Sequence, residues 1–414
     1  MNGRIIESIP AFKVSVASYR GEIYERFDDI IDSGMLLMGK YTKLMEEAFA
    51  TDHQRKFAFG VMSDTAALEC AIQYIIRPGD VVLMPQTGHF ADVNVVLRLG
   101  GKVVLVDVTV SNGAMPTLDQ WMEGVDYCQR KFNTDPRLVM LIYSAGQPSH
   151  NTVEVCKYFR SLGIWTLEDC AHNHGSKYPD GRLVGSEADV ATWSLYATKI
   201  IHCGEGGVIV TNDENMATYL QEYRSYGKKA QTADGVFTEQ LWDKGYNWRL
   251  TEWQSAVGLT MWEHKDEIIE ARKKIAQLYD HVFPPRSEPE EGDESAYSLS
   301  PTEGDAERNY YRYSVMVPGL RAENNHLIYN YLRACRPRIT LQEKCNHLPL
   351  SMMGAYSCNP NVFPVSWHFP EAMKYCAEHL CLPIYPQLSP TDAVFIRTKA
   401  KEAIKFARDK AQIW

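Results

Sequence analysis

The chain has no apolar run approaching the roughly 20 residues that a membrane-spanning helix needs. Its first residues, MNGRIIESIPAFK, hold no continuous apolar stretch and do not read as a secretory signal. No CxxC pair occurs among the ten cysteines, which are scattered and often sit inside apolar segments. That pattern reads as reduced thiols packed in a cytoplasmic enzyme, not as a disulfide scaffold. Basic residues are in deficit: 43 Lys+Arg against 52 Asp+Glu leave a formal net charge of −9. The deficit argues against nucleic-acid backbone binding, which needs a basic excess. It leaves room for a small anionic ligand in a locally positive pocket. Neither GxGxxG nor GxxxxGK[ST] is present, so a dinucleotide or P-loop nucleotide site has no support. There is no internal repeat.

What is present is a globular balance, 45% hydrophobic and 23% charged over 414 residues, enough chain to bury a large core. Short β-rich apolar runs occur at 81–84, 103–106, 138–143, 164–167, 190–193 and 208–210. Runs apolar at nearly every position predict strands buried on both faces, hence a mostly parallel sheet. Helical patterns lie between them, as at 65–76 and 153–162, so the class is α/β. A long helical stretch follows over 249–281. Residues 284–308 are Pro-, Ser- and acid-rich and read as a loop or insertion. The expected division is a large domain over 1–283, this loop, and a smaller α+β domain over 309–414.

Three segments could carry chemistry. Glu168-Asp169-Cys170-Ala171-His172-Asn173-His174 follows a strand, where wound sheets bind ligands. Asp169 could face a ligand or cap a helix, and Cys170, His172 and His174 could form a metal cluster, though no distant ligand set accompanies them. Ser194-Leu195-Tyr196-Ala197-Thr198-Lys199 follows another strand. A lysine in a cleft there can become a carbonyl nucleophile, although most lysines are simply exposed. Ser63-Asp64-Thr65 opens a helix whose free N–H groups could seat a phosphate, or only be capped.

In this order on an α/β sheet, the three segments resemble the fold-type I pyridoxal-phosphate enzymes, and more narrowly the DegT/DnrJ/EryC1/StrS family of sugar aminotransferases. Further matching segments are Ser33-Gly34, Met38-Gly39, Gly146-Gln147-Pro148, Gly245-Tyr246-Asn247-Trp248-Arg249 and Leu382-Pro383-Ile384-Tyr385-Pro386. The resemblance implies a large domain with a mostly parallel seven-stranded sheet flanked by helices, plus a smaller C-terminal α+β domain. It implies pyridoxal 5'-phosphate as cofactor and no metal. Lys199 sits where the family places its Schiff-base lysine, and Asp169 where an aspartate pairs with the pyridine nitrogen. His172 matches the position near the 3-hydroxyl. Thr65 and Ser194 match phosphate-binding positions. Asn247 matches an asparagine that reaches the neighbouring subunit's cofactor, which implies a homodimer with shared active sites.

Two positions depart from the family pattern. Asp64 stands where a small residue is usual, so it is expected to offer only its backbone N–H to the phosphate. His89 stands where an aromatic ring stacks on the cofactor, with Phe90 as the alternative one residue on. The implied reaction moves an amino group from glutamate or glutamine to a keto sugar or keto cyclitol, in amino-sugar, polysaccharide or secondary-metabolite biosynthesis. The alternatives keep the fold but change the role: a dehydratase, cyclase or carbon–carbon bond-forming enzyme, or a noncatalytic regulatory subunit. Lys199 disfavours the sugar-deoxygenating branch, which replaces that lysine with His. Cys170 and Cys203 stand out among the cysteines because they flank Asp169 and Lys199 in sequence.

Overall fold

The computed structural model describes residues 8–228, 244–286, 295–299 and 306–411. The first half alternates strand and helix. After β1 (Ser8–Ile9), α1 (Arg20–Ser33) and α2 (Lys40–Asp52) come β2 (Phe57–Val61), α3 (Asp64–Ile75), β3 (Val81–Pro85), α4 (Phe90–Arg98), β4 (Lys102–Val106) and α5 (Leu118–Phe132). Then follow β5 (Leu138–Ile142), α6 (Thr152–Ser161), β6 (Trp165–Asp169), β7 (Val190–Ser194), β8 (Gly207–Thr211), α7 (Glu214–Tyr223), α8 (Glu252–Glu263) and α9 (Lys265–Asp280). The remainder holds β9 (Tyr297–Ser298), β10 (Tyr313–Met316), α10 (Asn325–Ala334), β11 (Arg338–Ile339), β12 (Val362–Pro364), α11 (Pro370–Glu378), β13 (His379–Leu382) and α12 (Pro390–Ala411).

The large sheet runs in the order β12-β4-β3-β5-β6-β7-β8-β2. All neighbours are parallel except β8, which is antiparallel to both β7 and β2. The expected seven strands are joined by an eighth, because residues 362–364 return to pair with β4 at the sheet edge. The apolar runs are continuous for the expected reason. In β5, Val139 and Leu141 pack into one core with Phe159 and Trp193, while Leu138, Met140 and Ile142 pack into the other with Leu68 and Ile72. Strand β2 lacks so plain a signal, since Gly60 interrupts its short run Phe57–Val61.

A third core surrounds the antiparallel sheet β13-β10-β9. There Tyr313 and Val315 meet Ile275 and Tyr279 of α9, Leu332 of α10 and Ile396 of α12. The segment read as a loop over 284–308 contains strand β9, and its residues 287–294 and 300–305 lie outside the described residues. The long helical stretch is two helices that meet at His264, whose ring stacks on Tyr19 at 4.1 Å. No helix among the described residues is long and apolar enough to cross a membrane.

One buried carboxylate ties the N-terminal helices to the sheet domain. α2 begins at Gly39, which has no side chain to cap its free N–H groups. Glu252, at the start of α8 and buried, reaches across to do so. Its carboxylate accepts from the N–H groups of Gly39 (2.8 Å), Tyr41 (2.7 Å) and Thr42 (3.0 Å), and from the Thr42 hydroxyl (2.5 Å). Charge-assisted bonds at a helix N-terminus are among the stronger polar contacts. Glu252→Ala is expected to lower unfolding free energy by about 2–4 kcal/mol. A denaturant melt checks this, and a loss under about 0.5 kcal/mol, the range of an ordinary surface change, would contradict it.

Candidate active site

Strands β6 and β7 are neighbours, and their carboxyl ends open into a cavity of about 530 Å³. Asp169 is the last residue of β6 and Ser194 the last of β7. The pleat separates Asp169 from the carboxylate beside it. Glu168 turns away into the core, where its carboxylate accepts from the Tyr143 hydroxyl (2.7 Å), the Tyr178 hydroxyl, and the N–H groups of Gly185 (3.2 Å) and Ala188 (2.9 Å). Asp169 faces the cavity, and its Oδ1 accepts from the Ala171 N–H at 2.8 Å.

Lys199 lines the same cavity, with Nζ 5.3 Å from the centroid of the Tyr311 ring. It comes from a turn after β7 that is pinned back on itself by bonds such as Ala197 N–H to Gly204 O, 2.9 Å. The N-terminus of α3 lines the cavity as well. Ser63 caps it by accepting from Ala66 N–H at 3.2 Å, which leaves the first-turn N–H groups of Asp64 and Thr65 without a partner in the helix. Close approach of β8 makes this possible: a Cβ on Gly207 would lie 2.6 Å from the Ser63 carbonyl oxygen.

His172 lines the cavity and stacks on Tyr311 at 4.5 Å. Its loop is held by Asn309, whose amide donates to the carbonyls of His172 (2.8 Å) and His174 (2.9 Å). Gly146 has φ +78°, and a Cβ there would collide with Asn309 Oδ1, so glycine is required at this crossing. Burial, then the Lys199 charge, hold the His172 imidazole neutral by pushing its pKa well down. His89 and Phe90 both line the cavity and lie against each other at 3.8 Å. His89 is also the cap of α4, its Nδ1 accepting from Ala91 N–H at 3.2 Å.

Of the residues singled out from the sequence, Asp64, Thr65, His89, Asp169, His172, Ser194 and Lys199 all meet at this one cavity. Asn247 does not. It is exposed on the surface, and its Oδ1 accepts from Arg249 at 2.6 Å. Among the described residues no group of three His, Cys, Asp or Glu side chains could hold a metal ion. Cys170, His172 and His174 diverge, the first into the core and the second into the cavity.

The model of the DegT/DnrJ/EryC1/StrS aminotransferase family matches residues 18–399. The chain belongs to this family. GDP-perosamine synthase of Escherichia coli O157:H7 is 28% identical over 275 residues, 66% of this chain and 70% of that protein. Among solved structures, S. venezuelae DesV superposes with a TM-score of 0.82 at 24% identity, covering 96% of this chain and 99% of that one. The putative sugar aminotransferase Spr1654 from Streptococcus pneumoniae, in its PLP form, gives 0.81 at 21% identity, covering 97% and 99%.

Within this aminotransferase fold the base of the cavity is crowded with carboxyl groups. The Asp64 carboxyl packs inward, with Oδ1 buried and without a hydrogen-bond partner. Asp92, unremarked in the sequence because it lies inside an apolar helix, is fully buried and accepts from His89 N–H at 3.0 Å. Burial first, then Asp169, push both Asp64 and Asp92 well above the usual carboxylate range; for Asp92 a hydrogen bond to Asp169 and the Asp64 charge add to it. Like charges this close do not all ionise. The two cysteines that flank the site in sequence do not line the cavity. Burial pushes the thiols of Cys170 and Cys203 upward.

Raised carboxyls have a stability consequence of definite sign. The contribution of Asp92 is fully present below the unfolded value, about 3.9, and is lost as pH rises through its higher folded value. Asp92→Asn cannot titrate, so the melting temperature of the variant minus that of wild type should rise from pH 4 to pH 8. Thermal melts of the cofactor-free protein across that range test it, and parallel curves would rule it out.

Proposed function

We propose that this protein is a pyridoxal 5'-phosphate-dependent aminotransferase that moves an amino group from an amino-acid donor, glutamate or glutamine, to a keto sugar or keto cyclitol. The observation that carries the reading is the meeting of Lys199, Asp169 and the α3 N-terminus at one cavity, in a chain of this aminotransferase family. The residues fit the cofactor. Lys199 has no ion-pair partner among the described residues, the buried His172 Nδ1 is unbonded, and α3 presents free N–H groups.

In this reading the first turn of α3, Thr65 and Ser194 hold the phosphate. Burial pushes the Asp64 carboxyl upward, which weakens its repulsion of the phosphate. Lys199 is the point of attachment. Bound there, pyridoxal phosphate would supply an aldehyde for amine exchange and an electron-withdrawing ring for the charge left at the substrate's Cα. Asp169 holds a proton at the ring nitrogen, and His172 and His89 orient the ring. Lys199 moves the proton at the substrate's Cα, as general base and then acid. Lys199→Ala should lack the absorbance of lysine-linked cofactor near the visible edge and lose about 10³-fold or more in rate. Wild-type turnover by that variant would remove Lys199 from both roles.

The same reading makes the protein a cytoplasmic homodimer that completes each site with the partner's Asn247. Its support is an exposed apolar face beside the cavity wall: Ile31, Met35, Leu36 and Met62 are 45–63% exposed. Two of them are tied to the chain segment that carries Asn247: Leu36 O accepts from Glu252 N–H (3.1 Å), and Met62 N–H donates to Trp248 O (3.0 Å). Such patches mark association surfaces. Charging the face with Ile31→Glu and Met35→Glu should halve the mass measured by light scattering and weaken cofactor retention. An unchanged mass would count against this interface.

A further inference from the structure

The cavity contains a cation that the reaction above does not use. Arg312 immediately precedes β10, and its side chain lines the same cavity as Lys199. The guanidinium lies 4.8 Å from the Tyr311 ring centroid, and its Nε is buried without a hydrogen-bond partner. Among the described residues it has no carboxylate in an ion pair. The acidic groups that face it are the Tyr311 phenol, the Cys345 and Cys381 thiols and Glu343.

Those neighbours do not saturate it. The Cys345 thiol is drawn down to about 6 by a hydrogen bond from Cys381 and by the Arg312 charge. Sulfur is a weak acceptor, so it balances charge without filling the planar fork of N–H donors. Two of the other polar side chains lining the cavity here are already engaged. Lys344 donates to the carbonyls of Cys376 (2.9 Å) and Ala377 (2.7 Å), and Asn346 donates to Gly88 O (3.0 Å). The free fork is therefore a planar donor left open in the cavity that Lys199 lines, both cations lying beside the Tyr311 ring.

We propose that Arg312 is the recognition point for a carboxylate on the substrate. A planar carboxylate pairs with a guanidinium through two parallel hydrogen bonds, which set direction as well as affinity. Anchored there, a substrate is held with its amine or carbonyl carbon toward Lys199. Two substrates can bring the group: the amino-acid donor, or an acceptor sugar that is itself acidic. The proposal rests on the aminotransfer reading of the cavity and adds to it which chemical group the cavity reads.

The test compares wild type, Arg312→Met and Arg312→Lys, each loaded with cofactor. Glutarate, a dicarboxylate without an amine, is titrated by calorimetry. Its dissociation constant should rise about 10- to 100-fold in Arg312→Met. It should recover only in part in Arg312→Lys, which restores the charge but not the fork. The visible absorbance of bound cofactor should stay unchanged in all three. The half-reactions then identify the source. If the donor carries the carboxylate, KM for L-glutamate rises in Arg312→Met. If an acidic acceptor does, the L-glutamate half-reaction is unaltered, and the variant loses the preference of wild type for a keto uronic acid over its neutral keto hexose counterpart. Glutarate affinity in Arg312→Met equal to that of wild type overturns the proposal. A wild-type protein that neither L-glutamate nor L-glutamine bleaches would instead overturn the aminotransfer reading, and the glutarate titration would still report on Arg312.

Discussion

The site depends on the pleat at the end of β6. Successive side chains of a strand point to opposite faces, so Glu168 and Asp169 cannot share an environment. Glu168 is enclosed by two tyrosine hydroxyls and two backbone N–H groups beneath the sheet, while Asp169 stands at the floor of the cavity. The first fixes the strand against β7 and the turn at 185–188, and the second is left to meet a ligand. A slip of one residue in the register of β6 would exchange these roles. The pairing of Leu138–Ile142 with Trp165–Asp169 on one side, and of Leu167–Asp169 with Val190–Thr192 on the other, prevents it.

Around that floor the charges are arranged against one another. Asp64, Asp92 and Asp169 converge from α3, α4 and β6, and burial keeps the first two from ionising freely. Above them stand Lys199 and Arg312, neither paired with a carboxylate among the described residues, and the neutral His172. An acidic protein thus carries a cavity lined by two cations that no carboxylate among the described residues pairs. Net charge describes the solvent-facing surface more than the site, since the local potential is set by which groups are desolvated together. The arrangement suits a ligand with an anionic end and a basic ring nitrogen, the chemistry proposed for it.

Much of this was legible in the chain. Apolar runs bounded by turn residues marked six strands of the sheet, because strands covered on both faces need apolar side chains at every position. Segments just past those strands named Asp169, Ser194 and Lys199, because the carboxyl ends of parallel strands are where such sheets open. What was missed has a physical pattern too. Asp92 was hidden inside the apolar helix Phe90–Arg98, where one polar residue reads as a solvent-facing position. Arg312 sat in the stretch that opens the smaller C-terminal domain, just before β10, where no local pattern singled it out. Strand β12 is three residues long and gains its place only by pairing with β4.

The sequence by itself therefore determined the class of fold, six of the sheet's strands and the segments that carry Asp169, Ser194 and Lys199, since these follow from local periodicity and turn chemistry. Tertiary structure alone decided which of Glu168 and Asp169 faces the ligand, that Asp64 packs inward beside Asp92, and that Arg312 reaches the cavity of Lys199. The reason is distance along the chain. Arg312 is separated from Lys199 by more than a hundred residues, and no local pattern records which side chains a folded sheet will bring within reach of one another.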